Sequence, residues 1–265
     1  MEEILMKMTK RLIAVVLAAI LVVAVFVGCS AKGGEETTGE KLVLATSADF
    51  PPYESIGDNG EYVGIDIEIA QAIADKLGRE LVVENMDFDS IISSVASGKA
   101  DMGMAGLTVT DERKESVDFS NSYATGVQAI IVPEGSAIKT VDDLYAEGAA
   151  YKVGVQLSTT ADIYFSGDIE DGATTCTIEE YTSAQEAVSS LVTGKIDAVI
   201  IDNEPAKSYV AANEGLTILD TKYTEEEYAI AFAKGSELTA EVNAALDELI
   251  ADGTVQQIVD KYIAA

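Results

Sequence analysis

Hydrophobic and polar positions along this chain form blocks that predict helices and strands in alternation. Two blocks are near copies of each other: 93–101 precedes the apolar run 102–105, and 189–197 precedes the apolar run 198–201. Each copy predicts a helix that ends at a left-handed glycine, then a tight turn and a short buried strand. Two copies in register predict two similar α/β lobes.

The other blocks continue this alternation. Apolar residues at helical spacing predict helices over 65–77, 89–96, 205–212, 238–250 and 254–262, with shorter helices capped by Thr110 or Asp111 and by Ser158 or Thr159. Short apolar segments predict strands over 41–45, 81–84, 128–132, 152–156, 217–219 and 228–233. We assign 41–132 and 225–265 to the first lobe and 133–224 to the second. The lobes would then hinge where the chain crosses between them, near 132–134 and 224–229.

The ends of the two repeated strands predict where a ligand would bind. The first strand leads into Gly106, Leu107 and Thr108, and the second leads into Asp202 and Asn203. In open parallel sheets, ligands lie beyond the carboxyl ends of the strands. Two lobes that face each other would therefore form a cleft lined by these residues.

The amino-terminal segment predicts export from the cytoplasm. Lys7, Lys10 and Arg11 precede the apolar run 12–27, which is shorter than the roughly 20 residues of a membrane-spanning helix. The following Gly-Cys sequence resembles the lipobox of bacterial lipoproteins, in which cleavage leaves Cys29 as a lipid-bearing amino terminus. We therefore expect a signal peptide over 1–28, a flexible tether over 29–40 and a lipid anchor at Cys29, with an uncleaved membrane helix as the alternative.

Composition excludes several classes of function. The chain has no histidine, which removes histidine-based acid–base catalysis, Ser-His triads and the commonest metal ligand. With Cys29 lipidated, Cys176 is the remaining cysteine and no internal disulfide is expected. A formal net charge of −29 disfavours nucleic acid as a partner. We expect no metal, no cofactor and a monomer.

Several stretches of the chain resemble one protein family. They are 45–54 (ATSADFPPYE), 64–70 (GIDIEIA), 105–113 (AGLTVTDER) and 118–120 (DFS). Together they are similar to the extracytoplasmic solute-binding proteins of polar amino-acid ABC transporters, bacterial solute-binding protein family 3. The resemblance extends from residue 41 to the carboxyl terminus. It implies a type II periplasmic-binding-protein fold, two α/β lobes joined by two hinge crossings, and an ABC transporter permease as partner.

The chemistry of these positions suits an α-amino acid, whose carboxylate and ammonium must both be compensated when water is excluded. Arg113 offers a planar fork that matches a carboxylate. Backbone amides around Gly106 and at the helix that begins after Thr159 can donate as well. Asp202 follows a buried strand of the opposite lobe and can balance the ammonium. Phe50 can lie flat against the ligand side chain.

The resemblance assigns further roles, residue by residue. It makes Phe50 a stacking platform, Arg113 a carboxylate clamp and Asp202 the partner of the α-amine. Its remaining ligand-binding positions are Ser47, Glu54, Ala105, Gly106, Thr108, Gln156, Thr159 and Thr160. Ser47 stands where several relatives that bind basic amino acids or glutamine have an aspartate, so the ligand stays open, and Glu54 could favour a cationic side chain.

Structural roles compete with these assignments. Arg113 follows two acidic residues and could be a surface residue that forms ion pairs. Asp202 could cap the following helix, and Phe50 could belong to the core. We expect Tyr53 to pack beneath its loop, and Asp66 and Glu68 to lie on a solvated helix face.

The pattern as a whole predicts an extracytoplasmic, lipid-anchored protein that captures a polar amino acid and delivers it to an ABC importer. A ligand sensor that signals to a membrane receptor is one alternative. The other is a dehydratase resembling the cyclohexadienyl type, which would use Glu54 or Asp202 as acid or base.

Overall fold

The computed structural model describes residues 40–220 and 222–263, so the predicted signal peptide, the tether up to residue 39 and Cys29 lie outside the described residues. In this part of the chain, no helix has the length and apolar character needed to cross a bilayer. The strands are β1 (Lys41–Thr46), β2 (Asp49–Phe50), β3 (Glu54–Ile56), β4 (Tyr62–Val63), β5 (Glu80–Asn85), β6 (Met102–Gly103), β7 (Val117–Pro133), β8 (Lys152–Gln156), β9 (Thr177–Tyr181), β10 (Ala198–Asp202), β11 (Leu216–Ile218) and β12 (Thr224–Ala233). The helices are α1 (Ile65–Leu77), α2 (Phe88–Ala96), α3 (Asp111–Ser116), α4 (Thr160–Glu170), α5 (Ala184–Val192), α6 (Asn203–Ala212), α7 (Leu238–Ala251) and α8 (Thr254–Tyr262), with a 3-10 turn at Val141–Leu144.

One sheet runs through both lobes in the order β5-β1-β6-β12-β7-β10-β8-β9, with β11 on β7. In its first half, β1 pairs in parallel with β5 and β6. In its second half, β8 pairs in parallel with β9 and β10. The long strands β7 and β12 are antiparallel and join the halves. This is the two-lobed α/β architecture expected from the sequence, with a small sheet β2-β3-β4 in addition.

The crossing between the halves lies within β7 and β12. The pairing of these strands is irregular between Tyr228 and Ala231, at the passage from one half to the other. Residues 128–131 of β7 already pair with β10 of the second half. The register therefore favours a first crossing before residue 128 and not at the predicted 132–134. The described residues form one compact unit, so the predicted lobe boundaries stay predictions.

Both copies of the sequence repeat fold as predicted and make the same contacts. Gly98 and Gly194 follow their helices with φ of 72° and 69°. In the first copy, Asp101 Oδ2 accepts the amide of Val43 at 2.7 Å. In the second copy, Asp197 Oδ2 accepts the amide of Lys152 at 2.8 Å. In each copy, the aspartate satisfies a backbone donor of the parallel strand that pairs with the strand of the repeat.

Two predictions about local structure are wrong. The sequence predicts a strand only over 128–132, but β7 begins at Val117, because β12 supplies backbone partners to its polar first half. Asp66, predicted on a solvated face of α1, is fully buried. Its carboxylate accepts hydrogen bonds from the amide of Gly106 at 2.9 Å and from the hydroxyl of Tyr123 at 2.8 Å. Glu68, on the same helix, stays partly exposed and pairs with Lys261.

Candidate functional site

All the residues predicted to bind ligand line one cavity between the two lobes. The first lobe contributes Ser47, Phe50, Glu54, Ala105, Gly106, Thr108 and Arg113, and the second contributes Gln156, Thr159, Thr160 and Asp202. Asp49 and Phe88 line the same cavity, and sequence reasoning did not include them. The cavity lies where the strand ends of both lobes meet, as the topology requires.

Arg113 is buried at one side of this cavity. The hydroxyl of Thr110 caps the short helix α3 by accepting the amide of Arg113 at 3.1 Å, and this cap fixes the start of the helix. Nη1 donates to the carbonyl oxygen of Thr108 at 2.7 Å, and Nη2 donates across the cleft to that of Ser158 at 2.9 Å. The guanidinium lies 5.4 Å from the ring centroid of Phe88.

The surroundings of Arg113 do not fit a surface ion-pairing residue. No carboxylate of the described residues forms an ion pair with it, and its side chain is 7% exposed. Burial lowers the pKa of Arg113, and the nearby charge of Glu226 opposes that shift. The guanidinium has further N–H donors beyond those that bind the two carbonyls. These donors are available to an anionic group in the cavity.

Asp202 lies on the opposite lobe, at the end of β10. Its backbone is the N-cap of α6, but its side chain makes no capping hydrogen bond. Instead, one carboxylate oxygen accepts the hydroxyl of Tyr228 and the other accepts Nε2 of Gln128 at 2.8 Å. Burial and, to a smaller extent, the charge of Glu226 raise the pKa of Asp202 to about 7, against the opposing effect of the two hydrogen bonds. The carboxylate therefore lies in the cavity wall without a cation.

Glu226 is linked to Asp202 through the side-chain amide of Gln128, and to the first lobe through the hydroxyl of Thr108. Its Oε2 accepts the hydroxyl of Thr108 at 2.7 Å and Nε2 of Gln128 at 3.3 Å. The hydroxyl proton of Thr108 is thus already donated, and its oxygen can only accept from a ligand. Sequence reasoning missed both Gln128 and Glu226, which lie on the crossing strands and carry no motif.

Glu54 is fully buried, and the carboxyl group of Asp66 is its only hydrogen-bonding neighbour among the described residues. Burial raises its pKa well above the ordinary value, and the neighbouring Asp66 raises it further. Asp66 itself has its pKa raised to about 6 by burial. Because Asp66 takes the amide of Gly106, that amide is not free for a ligand. Any polar contact of the Gly106 backbone with a ligand must then be made by its carbonyl oxygen.

The second lobe presents the amino terminus of α4. Thr159 caps this helix by accepting the amide of Asp162 at 3.4 Å, as the sequence predicts. Thr160 is its first residue and accepts a hydrogen bond from Gln128 at 3.3 Å. Gln156 donates to the carbonyl oxygen of Thr182 at 3.3 Å and lines the cavity from β8. The first amides of a helix are unsatisfied donors with a favourable dipole for anions.

Aromatic and polar groups of the 45–54 segment form the remaining wall. Phe50 is 8% exposed and stacks at 6.0 Å on Tyr53, which is buried beneath the loop as predicted. Ser47 donates to Asp49 Oδ1 at 3.0 Å. Burial raises the pKa of Asp49. A tight turn joins Ser47 to Asp49, in which the amide of Asp49 donates to the carbonyl oxygen of Ser47 at 2.8 Å, and no sequence signal pointed to Asp49.

These observations define a class of protein: two α/β lobes around a polar cleft, with opposite charges on opposite lobes. The chain belongs to the bacterial extracellular solute-binding proteins, family 3, whose family model matches residues 42–265. The fold is the type II periplasmic-binding-protein fold that the sequence predicts.

Individual relatives resemble the chain over nearly their whole length. It is 35% identical to the arginine-binding extracellular protein ArtP of Bacillus subtilis, over 96% of this chain and 98% of that protein. A solved structure of an ancestral arginine-binding protein bound to arginine is 40% identical with a TM-score of 0.78, and the match covers 84% of this chain and 98% of that one. An ancestral amino acid-binding protein described as a precursor of cyclohexadienyl dehydratase is 33% identical with a TM-score of 0.76, over 84% and 95% of the two chains.

Proposed function

We propose that this chain is an extracytoplasmic lipoprotein that captures an amino acid with a cationic side chain and delivers it to an ABC importer. The observation that carries the proposal is the cavity in which Arg113 and Asp202 face one ligand space from opposite lobes. An α-amino acid has the two charges that this arrangement lacks. Closure of the lobes on such a ligand lets both residues act at once.

The orientation of the ligand follows from the donors and acceptors of the wall. Its carboxylate would accept from the free N–H groups of Arg113 and from the amino terminus of α4. Its ammonium would donate to Asp202 and to the hydroxyl oxygen of Thr108. That hydroxyl can accept because it donates its own hydrogen to Glu226. Its side chain would then pass over the ring of Phe50 towards Ser47 and Glu54.

Charge balance selects a cationic side chain. The cavity wall carries three carboxylates, of Asp49, Glu54 and Asp202, and one guanidinium, of Arg113. A zwitterion compensates one charge of each sign and leaves two acids in the wall. Glu54, whose only hydrogen-bonding neighbour among the described residues is another acid, Asp66, gains most from a guanidinium or ammonium of the ligand. Arginine is the ligand of the two arginine-binding relatives described above, which supports the same choice.

The place and partners of the protein follow from its family and its amino-terminal sequence. We place the lipid on Cys29, outside the described residues, after cleavage of the 1–28 signal peptide. Binding would occur outside the cytoplasmic membrane, to a monomer tethered near its ABC permease. The acidic surface favours neither nucleic acid nor an anionic lipid surface as a partner.

A screen of the purified protein against the proteinogenic amino acids tests the proposal. Thermal shift followed by calorimetry should give the largest stabilisation and the tightest binding with L-arginine or L-lysine. A ligand that binds the folded state at 100 times its Kd stabilises that state by about 2.7 kcal/mol. Absence of binding by every amino acid would refute the proposal, and tightest binding by a neutral or acidic one would refute the cationic assignment.

One observation favours a dehydratase as the second candidate. Glu54 is a buried carboxyl group whose raised pKa would keep it protonated, as a general acid requires. The same group serves a binding protein by releasing its proton when a ligand cation arrives. Incubation with a prephenate-like acid, followed by NMR, separates the two, and we expect no conversion.

A further inference from the structure

Asp49 lines the ligand cavity and also connects the two lobes by hydrogen bonds to groups of the protein itself. The amide of Ala184 donates to Asp49 Oδ2 at 3.1 Å. The hydroxyl of Tyr209 donates to the backbone carbonyl oxygen of Asp49 at 2.7 Å. Ser47 donates to the other carboxylate oxygen, Oδ1, and thereby fixes the side chain in the orientation that meets Ala184.

Asp49 and these two partners belong to opposite halves of the molecule. Asp49 lies on β2, and the small sheet of β2 is held to α1 of the first lobe by the bond from the Ile65 amide to the Pro52 carbonyl oxygen at 3.0 Å. Ala184 and Tyr209 lie on α5 and α6, which pack on β8 and β10 of the second lobe. Both bonds therefore require the lobes to be close together.

The chemistry of the contact makes it more than a surface hydrogen bond. Ala184 is the first residue of the nine-residue helix α5, so its amide has no partner within the helix. A carboxylate at this position is stabilised by the helix dipole and by a charge-assisted hydrogen bond. When the cleft opens, the amide of Ala184 and the hydroxyl of Tyr209 return to water, and the stabilisation is lost.

We propose that Asp49 and Tyr209 form an interlobe latch, and that they are positioning residues which set the affinity for ligand by holding the closed state. This proposal rests on the proposed function, since affinity is its readout. Tyr209 does not line the ligand cavity, so its contribution reaches the ligand only through closure. The hydrogen bond of Tyr209 should slow dissociation of every ligand by the same factor, because Tyr209 does not line the cavity that holds their side chains.

Arg113 makes the matching contact at another side of the cavity, where its Nη2 donates across the cleft to the carbonyl oxygen of Ser158. That bond cannot be removed without loss of the proposed carboxylate clamp. The latch is different because Tyr209→Phe deletes one hydroxyl and leaves the cavity wall unchanged. It therefore measures closure separately from ligand contact.

The test compares stopped-flow kinetics of the full-length protein and its Tyr209→Phe variant with L-arginine and L-glutamine. Loss of one hydrogen bond should raise the dissociation rate roughly two- to twelve-fold, with the association rate constant and the ratio of the two Kd values unchanged. The matched control is Tyr262→Phe, which removes a hydroxyl that bonds Glu68 within the first lobe. It should leave both rate constants unchanged.

Hydrogen exchange at the Ala184 amide gives a second, direct readout. Asp49→Ala should accelerate this exchange in the saturated protein, and Tyr209→Phe should do so more weakly. An unchanged dissociation rate in Tyr209→Phe, or a change confined to arginine, would overturn the latch. If no amino acid binds the wild-type protein, the proposed function fails, and Ala184 exchange in the free protein still decides the latch: equal rates in wild type and Asp49→Ala would refute it.

Discussion

Arg113 and Asp202 line one cavity from opposite lobes, and no ion pair joins them in the part of the chain that the structure describes. Each is held by neutral groups: Arg113 by two backbone carbonyls, Asp202 by a tyrosine hydroxyl and a glutamine amide. Two opposite charges fixed apart in a buried space form a receptor for a zwitterion, because each leaves its counter-charge to the ligand.

Truncation of either charge should weaken binding of the amino acid strongly. Loss of one partner from a desolvated, hydrogen-bonded charge pair costs roughly 2 to 5 kcal/mol, a loss of affinity on the order of thirty- to several thousand-fold. Arg113→Ala and Asp202→Ala should each show this loss in calorimetry. Arg79→Ala and Asp58→Ala are matched controls, since Arg79 forms ion pairs outside the cavity and Asp58 is exposed.

Ligand analogues test the same pair without mutation. The decarboxylated amine leaves Arg113 unpaired, and the α-keto acid leaves Asp202 buried without a cation. The wild-type protein should reject both. If either analogue bound about as well as the parent amino acid, the corresponding half of the charge pair would have a structural role only.

Glu54→Gln should change ligand preference. Without the carboxylate, the wall loses the group proposed to compensate a cationic side chain, so affinity for L-arginine should fall by at least about tenfold. Affinity for L-glutamine should stay within a few-fold, because Arg113 and Asp202 are intact. Calorimetry with both amino acids measures the ratio. An equal loss for both ligands would show that Glu54 acts through the fold and not on the side chain.

Cys29→Ser tests the anchor predicted from the amino-terminal sequence. Without the thiol, no lipid can be attached, and the protein should move from the membrane fraction to a detergent-free supernatant. Amino-acid binding should be unchanged, because the described cavity contains no residue of this segment. Continued membrane retention of the variant would contradict the lipoprotein assignment and favour the uncleaved helix.

The residues of the cavity were largely predictable because they follow strand ends or lie in family motifs. The strands before Gly106 and Asp202 were visible as apolar runs, and the cap at Thr159 as a helix start. Asp66 was not predictable from its local pattern, because the groups that bury it, Gly106 and Tyr123, lie 40 and 57 positions away. Gln128 and Glu226 were missed for the same reason, since only the pairing of distant strands brings them to Asp202.

The length of β7 also could not be predicted from its local sequence. Its first half is polar and contains Gly126, a composition that favours a loop. Pairing with β12 turns it into a strand, and that pairing depends on residues about a hundred positions later. The predicted crossing at 132–134 coincides with the end of this strand at Pro133, and it stays a prediction.

Stability of the ligand-free protein should fall as pH rises from 5 to 8. Burial raises the pKa of Asp66 to about 6 and that of Asp202 to about 7, while unfolded aspartate titrates near 4. The folded state therefore binds more protons than the unfolded state in this window, and the free energy of unfolding decreases with pH. Thermal melts at pH 5 and 8 measure the effect.

The carboxylates with lowered pKa do not reverse this trend. Asp118, Asp143 and Asp252 have lowered pKa values because each accepts hydrogen bonds, so their support is lost only at pH values below this window. Asp202→Asn should flatten the dependence, because its amide does not titrate. A melting temperature that rises from pH 5 to 8 would contradict the assignment of these buried acids.

Affinity for the amino acid should depend on pH in the opposite direction from stability and increase as pH rises. The ammonium requires ionised Asp202, so binding releases a proton wherever the free protein holds one there. Affinity should weaken as pH falls through about 7, towards a tenfold change in Kd per pH unit. Above pH 8 the affinity for L-glutamine should level off. Affinity for L-arginine should depend on pH more steeply than affinity for L-glutamine, because the pKa of Glu54 is also raised and a cationic side chain requires that carboxyl group to be ionised.

Calorimetry in two buffers of different ionisation enthalpy counts the released protons directly. At pH 6, L-arginine should release more protons than L-glutamine, and Asp202→Asn should release fewer with both. In Glu54→Gln, the two ligands should release the same number of protons, because only the arginine side chain requires that carboxyl group to ionise. Equal proton release by both ligands in the wild-type protein would place the cationic side chain away from Glu54.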